Sequence, residues 1–350
     1  MRPGRPIAPV IGAVPNGSDG DSTMRMESDT FDELDLRLLD ALEINGRASF
    51  SRIGAVLGVS DQTVARRYRR LCDEGGLRVV AVRDAERLGQ DHWTLRLRCV
   101  PDSAPAIAEA LAKRPDTNWI GLAAGGTEII FGTRPRSPGD RDDLLLGKLP
   151  RTPRVLEIHA HQILHRFYGG PSGWLRKFAV LDDDEVAALR PDPRPATSGP
   201  ARIEPEDEPL LAVLERDGRA TYPRLQRATG RSESAVKRRL AALLASGAVY
   251  VDVEYRSEIL GYPTAAVLWI TTSPAALHRV GEALAAHDEI AHAAATAGPS
   301  NIIATAVVRS TADLYAYLSG PLGRLEGVQH VEASPFLRRV KQLTYPIPAR

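Results

Sequence analysis

The chain has 350 residues, 43% of them hydrophobic and 25% charged, and a formal net charge of +1. That length asks for two or three cores, and the composition excludes a wholly disordered chain. No apolar run approaches the ~20 residues of a membrane helix, the basic start lacks the apolar core of a signal peptide, and two cysteines, Cys72 and Cys99, exclude a disulfide scaffold or a four-cysteine zinc site.

A reducing, cytoplasmic setting follows from that cysteine usage. Because the net charge is near zero, any nucleic acid must be held by local basic patches. Residues 1–30, rich in Pro, Gly, Ser and Asp, are expected to be a disordered tail. Leu34, Leu38, Leu39 and Leu42 then recur at helical spacing, and Asn45-Gly46 stops that helix. A second helix is expected over 51–57. Gly58-Val59 makes a tight turn, and Ser60 sits where an N-cap belongs. The third helix runs from Asp61 to about Glu74, with Val64, Tyr68 and Leu71 inward and Gly75-Gly76 at its end. The β-branched stretch 77–83 reads as a strand, and so as a wing.

Three short helices with a basic third helix describe a helix-turn-helix. Between residues 47 and 83 there are eight Arg against three acids. Asp61, Gln62 and Thr63 would face base edges from the first turn of the third helix. Arg66, Arg67, Arg69 and Arg70 would follow along it, and Arg52 would touch phosphate.

The order after that is strand 92–100, helix 104–114, strands 118–124 and 128–134, helix 140–149 and strand 154–163. This βαββαβ order is that of a ferredoxin-like sandwich. Asp182 to Glu185 reads as the start of a short solvated helix, and 190–205 as a Pro-rich linker.

The pattern then repeats. Asp35, Leu38, Leu39 and Leu42 recur as Asp207, Leu210, Leu211 and Leu214. Gly46-Arg47 recurs as Gly218-Arg219, Gly58 as Gly230, Ser60 as Ser232, and Arg66-Arg67 as Arg238-Arg239, all at an offset of 172. Beyond one inserted residue the offset becomes 173, pairing Gly125 with Gly298. So long a period gives each copy its own core. The expected fold class is α+β: two winged helix-turn-helix domains (31–85 and 206–257) alternating with two ferredoxin-like βαββαβ domains (88–180 and 260–345), joined by an acidic and Pro-rich linker, 181–205. The second reading head offers Ser232, Ser234, Lys237, Arg238 and Arg239. Arg69-Arg70 become Ala241-Ala242 there, which predicts weaker DNA binding.

The residues Asp35-Leu36-Arg37-Leu38-Leu39-Asp40-Ala41-Leu42, Asn45-Gly46-Arg47, Leu57-Gly58-Val59-Ser60 and Val64-Ala65-Arg66-Arg67-Tyr68-Arg69-Arg70-Leu71 resemble the leucine-responsive/AsnC (Lrp/AsnC) family of bacterial regulators. The resemblance covers about 31–165 and 205–345. It implies double-stranded DNA as partner through the third helix, self-association through the sheets, and a small effector, often an amino acid, at a cleft between them. The family carries Gly-Asp and an aromatic at the turn between the second and third strands. Here the turns read Gly125-Gly126-Thr127 and Gly298-Pro299-Ser300, which become the candidate effector contacts. Because the family has one module per chain, two modules predict an intramolecular pseudo-dimer, open to further homo-oligomerisation.

No cofactor, catalytic group or metal site is assigned. His159, His161 and His165 are answered in the second copy by Glu332, Ser334 and Arg338. The tandem arrangement also resembles sirohaem decarboxylases, which gives an alternative: a tetrapyrrole-processing enzyme on the same scaffold.

Overall fold

The computed structural model describes residues 31–191, 201–344 and 347. The N-terminal tail and the centre of the Pro-rich linker lie outside the described residues.

Each half opens with a three-helix head. In head 1 the helices are α1 (Glu33–Ile44), α2 (Phe50–Leu57) and α3 (Asp61–Asp73). Their starts follow from capping chemistry. The Asp32 carboxylate accepts from the Asp35 N–H while Asp35 returns the bond to the Asp32 N–H, so two orphan donors are satisfied at once. Ser49 and Ser60 cap α2 and α3 with one bond each, accepting from the Arg52 and Thr63 N–H groups. Gly58 takes φ +69° between them, a left-handed turn that a side chain would strain. Leu38, Leu42, Ile53, Val64 and Leu71 form the core of the head.

A fourth helix completes head 1. The acidic stretch read above as solvated forms α6 (Asp183–Leu189), and its Val186 and Leu189 are buried in the head core. Arg37 binds Glu185, and Arg176 reaches Asp40 at 3.1 Å. Residues 181–190 therefore belong to the head and not to a linker. The acids sit on its outer face and at its N-terminus, where they cap it.

The strand after α3 is not a wing. β1 (Arg78–Arg83) pairs antiparallel with β6 (Val249–Glu254) of the other half. Val80 stands opposite Asp252, its own counterpart at the 172 offset, so a pseudo-two-fold axis passes through this pair. Head 2, made of α7 (Glu208–Leu214), α8 (Tyr222–Thr229) and α9 (Glu233–Ala245), lies across that axis. The Gly-Arg turns explain the join. Arg47 donates to the Gly218 and Ala220 carbonyls. Arg219 donates to those of Gly46 and Ala48 at 2.7 and 2.8 Å. Each guanidinium also covers an aromatic ring of the opposite pair, Tyr222 or Phe50. Gly46 seats on the ribbon: a Cβ there would lie 2.6 Å from Val251 Cγ1 and 2.9 Å from Val79 Cγ1. Gly46→Ala is expected to cost about 1–3 kcal/mol by overpacking, read as a lowered urea midpoint.

The remaining strands form one closed eight-stranded barrel. The first half supplies β2 (Trp93–Cys99), β3 (Thr117–Ala123), β4 (Glu128–Thr133) and β5 (Val155–Tyr168). The second supplies β7 (Thr264–Thr272), β8 (Ile290–Ala297), β9 (Ile302–Val308) and β10 (Val328–Lys341). β5 and β10 are each 14 residues long. Each pairs first within its own sheet and then crosses to the other, β5 to β8 and β10 to β3. The halves thus join edge to edge as well as packing Ile130, Val267, Trp269 and Ile303 between the sheets. α4 (Ala104–Ala112) and α10 (Leu277–Ala286) cover the outer faces over separate apolar cores.

Candidate nucleic-acid interface and interior cavity

The arginines of α3 divide into two sets. Arg67 and Arg70 turn back onto α1. Arg67 reaches both Asp32 oxygens at 2.6 and 2.7 Å, and Arg70 meets the fully buried Asp35 at 2.6 Å. The Arg67 pair holds the Asp32 carboxyl below its usual value against the opposing effect of burial. Head 2 repeats the device: Arg239 binds the buried Asp207, whose carboxyl is likewise held low despite burial. These arginines fasten α3 or α9 to the first helix of the head. Gln62, Arg66 and Arg69 remain exposed on α3, with the Arg69 Nε bonded only to the Ala65 carbonyl at 3.2 Å. Asp61 is exposed beside Gln62, and Thr63 is half-buried with its hydroxyl 3.0 Å from that of the N-cap Ser60.

Arg52, expected at phosphate, instead closes the end of α6. It donates to the carbonyls of Ala188 and Arg190 at 2.8 and 2.9 Å. In head 2, Arg238 is exposed, Lys237 pairs with Glu233 at 2.5 Å, and Ser232 and Ser234 share a hydroxyl contact at 3.2 Å. On α3 and α9 the exposed basic side chains are therefore Arg66 and Arg69 on one head and Lys237 and Arg238 on the other.

The six effector candidates lie in the β3–β4 and β8–β9 turns. Thr127 bonds its own turn at the Ala124 carbonyl, 2.7 Å away. A Cβ on Gly298 would meet His161 Nδ1 at 2.6 Å, so that turn is closed by the His161 ring, which stacks near Trp269 at 5.0 Å. His161 is buried while His159 stays exposed, 3.5 Å from Glu157. None of the six turn residues lines the cavities described next.

A cavity of about 220 Å³ lies where the barrel interior meets the β1–β6 ribbon. Its apolar wall includes Ile130, Val267, Ile303 and Phe336. Its polar lining includes Arg134, Arg166, Tyr250, Asp252, His92 and His292. A second cavity of similar size adjoins it and shares both histidines and both arginines. Burial dominates the electrostatics. It holds His92 well below the ordinary imidazole range and lowers His292 to about 4, with Arg134 and Arg166 pushing the same way. It raises Asp252 to about 6 and Glu254 to about 7. Glu43, on α1, also lines the cavity. Burial raises it to about 8, although the Tyr255 hydroxyl at 2.8 Å and the Leu175 N–H at 3.0 Å donate to it.

Three family models match the chain. The AsnC-type helix-turn-helix domain covers residues 31–71, the winged helix-turn-helix DNA-binding model 210–250, and the Lrp/AsnC ligand binding domain 265–346. An uncharacterized HTH-type transcriptional regulator of Pyrococcus furiosus is 30% identical over 120 residues, 34% of this chain and 81% of the relative. The chain belongs to the Lrp/AsnC family. The HTH-type transcriptional regulator LrpA of Pyrococcus horikoshii is 26% identical over 140 residues, 40% of this chain and 99% of that protein. Among solved structures, the siroheme decarboxylase NirDL aligns with 90% of this chain and 94% of its own, at a TM-score of 0.58 and 12% identity. That likeness is one of fold, and it spans the whole tandem arrangement.

For this Lrp/AsnC chain, sequence reasoning missed the cavity. Its lining comes from head 1, the ribbon and all eight barrel strands, separated by up to three hundred positions. One signal was present: Val80 becomes Asp252 and Trp119 becomes His292 between copies, placing polar groups where the first copy is apolar.

Proposed function

We propose that this protein is a DNA-binding transcriptional regulator that presents two unequal reading heads from one chain and responds to a small effector. The observation that carries this reading is the division of the α3 arginines. Two are spent on the fold, while Gln62, Arg66 and Arg69 stay outward on a helix of AsnC type. An N-terminal helical turn can place a short polar side chain at a base edge, and the arginines behind it can neutralise phosphate. The reciprocal Arg47 and Arg219 bonds keep the heads paired, as a site with two half-sites requires. Arg66 and Arg69 face Arg238 and Ala241 at the 172 offset, so the preferred site is an imperfect palindrome with its stronger half under α3.

The test is DNA binding as a function of salt, on the sites recovered by genome-wide mapping. Arg66→Ala with Arg69→Ala is expected to flatten the slope of log K against log salt by about 0.9 for each phosphate that is no longer neutralised. Gln62→Ala should instead relax the preferred motif, at about 1–3 kcal/mol of discrimination. Unchanged slope and motif would remove α3 from the interface.

The fold likeness to NirDL supports a second reading, a tetrapyrrole-processing enzyme. A Soret absorption band in the purified protein would favour it over the regulator.

A further inference from the structure

The cavity is lopsided although the scaffold that encloses it is duplicated. At the 173 offset, Arg166 is matched by Arg339, but His92 is matched by Ala265, Arg134 by Val307, and His292 by Trp119. One end therefore gathers two imidazoles and two guanidinium groups, and the other replaces three of these with apolar side chains. Arg166 is neutralised by Asp84 at 2.9 Å and Glu86 at 3.3 Å. Arg134 has neither a hydrogen bond nor an ion pair from its guanidinium among the described residues, yet it is only partly exposed. The Tyr250 hydroxyl lines the same space and is buried with no hydrogen-bond partner among the described residues. Such groups are costly unless something satisfies them. Asp252 is the acid nearest this end on the ribbon, and its carboxyl is spent partly on the Val253 N–H at 2.8 Å.

We propose that this end of the cavity binds one small organic carboxylate per chain, with the carboxylate on Arg134 and the Tyr250 hydroxyl and the apolar body against Ile130, Val267 and Ile303. The size fits. About 220 Å³ lies below the ~300–1,000 Å³ of drug-sized pockets, which selects an acid of roughly a dozen heavy atoms over a macrocycle. Arginine supplies a planar fork matched to a carboxylate. His92 and His292, kept neutral by burial, can each donate one N–H without adding a second buried charge. A single ligand follows from the divergence: a symmetric dimer would hold two. The site is independent of the Gly-rich turns. It deepens the regulator reading and depends on it only for what the ligand would control, not for whether the ligand binds.

The probe is 3-phenylpropionate, with its uncharged amide as the matched control, titrated into the full chain without DNA. Trp119 and Trp174 line the cavity, so their fluorescence reports occupancy, and calorimetry gives the stoichiometry. The expected result is saturable binding of one acid per chain in the millimolar range or tighter, with the amide at least tenfold weaker. Arg134→Gln is expected to weaken the acid about ten- to a hundredfold while leaving the amide unchanged. His292→Gln serves as the second variant should Arg134→Gln fold poorly, which the thermal melt of each would reveal. No saturable binding of the acid, equal binding of acid and amide, or two equivalent acids per chain would each overturn the proposal. DNA binding is measured in a separate experiment, so a protein that takes the acid but ignores DNA would sink the regulator and leave this site standing.

Discussion

Replacing Asp35 by alanine is expected to unfold head 1 at a cost of about 3–5 kcal/mol, the range for breaking a buried ion pair from one side. The Asp35 side chain is fully buried and receives Arg70 at 2.6 Å and Arg67 at 3.1 Å. It also accepts the Asp32 N–H that starts α1. Its loss leaves two guanidinium groups without their inner partner and removes half of a capping box. Urea denaturation followed by far-UV circular dichroism should show an early transition from one head. Asp207→Ala should produce the same in head 2 through Arg239 alone. Arg66→Ala, by contrast, should leave stability within about 0.5 kcal/mol, as surface substitutions usually do. A loss below about 1 kcal/mol for Asp35→Ala would mean the pair is not what fastens α3 to α1.

Raising the pH from 6.5 to 8 is expected to lower the melting temperature, and Glu43→Gln to remove much of that fall. Burial lifts the Glu43 carboxyl from 4.5 to about 8 and Glu254 to about 7. Both folded values exceed the unfolded ones, so the native state holds the extra protons. The stability they contribute is fully present below pH 4.5 and is lost as pH rises through 7 and 8. His92 and His292 shift the other way, from 6.5 downward. Their contribution is lost as pH falls through 6.5, so they oppose the trend only at the lower edge of this window. Lys177 and Lys341, lowered to about 8 by burial, begin to oppose the fall at the upper edge of the window and act mainly above it. The comparison is of slopes, because glutamine keeps only one acceptor for Tyr255 and Leu175 and shifts the whole curve. Equal slopes for the two proteins from pH 6.5 to 8 would show that Glu43 is ionised throughout.

The heads were legible because their information is local. Ser60 three residues before Thr63, Gly58 in a left-handed turn, and Val64, Tyr68 and Leu71 on one stripe are all written within a dozen positions. The pairing of Arg67 and Arg70 with α1 was not legible, for the opposite reason. Their partners Asp32 and Asp35 lie 35 residues back, and helical spacing alone places an arginine outward without showing what it reaches. The wing fails similarly. A β-branched run at 77–83 specifies a strand, but its partner β6 is in the other half, and only the duplicated register with Val80 against Asp252 explains it. The sequence marks β5 only to 163, which is where the strand leaves β2 and begins to pair with β8 in the other half. The cavity needed all of these joins before it existed.

The ribbon and the handed-over strands pair two heads that one polypeptide already links, and that has a genetic consequence. Two separate subunits can trade partners, so a damaged copy can pair with a sound one and spoil it. Here the two heads are encoded together and meet at an effective concentration that dilution cannot lower. A defective allele would leave the heads made from a sound allele intact, and would be recessive at the level of head pairing. The two heads are also free to diverge, as Arg69 and Ala241 already have, because neither must ever match a copy of itself.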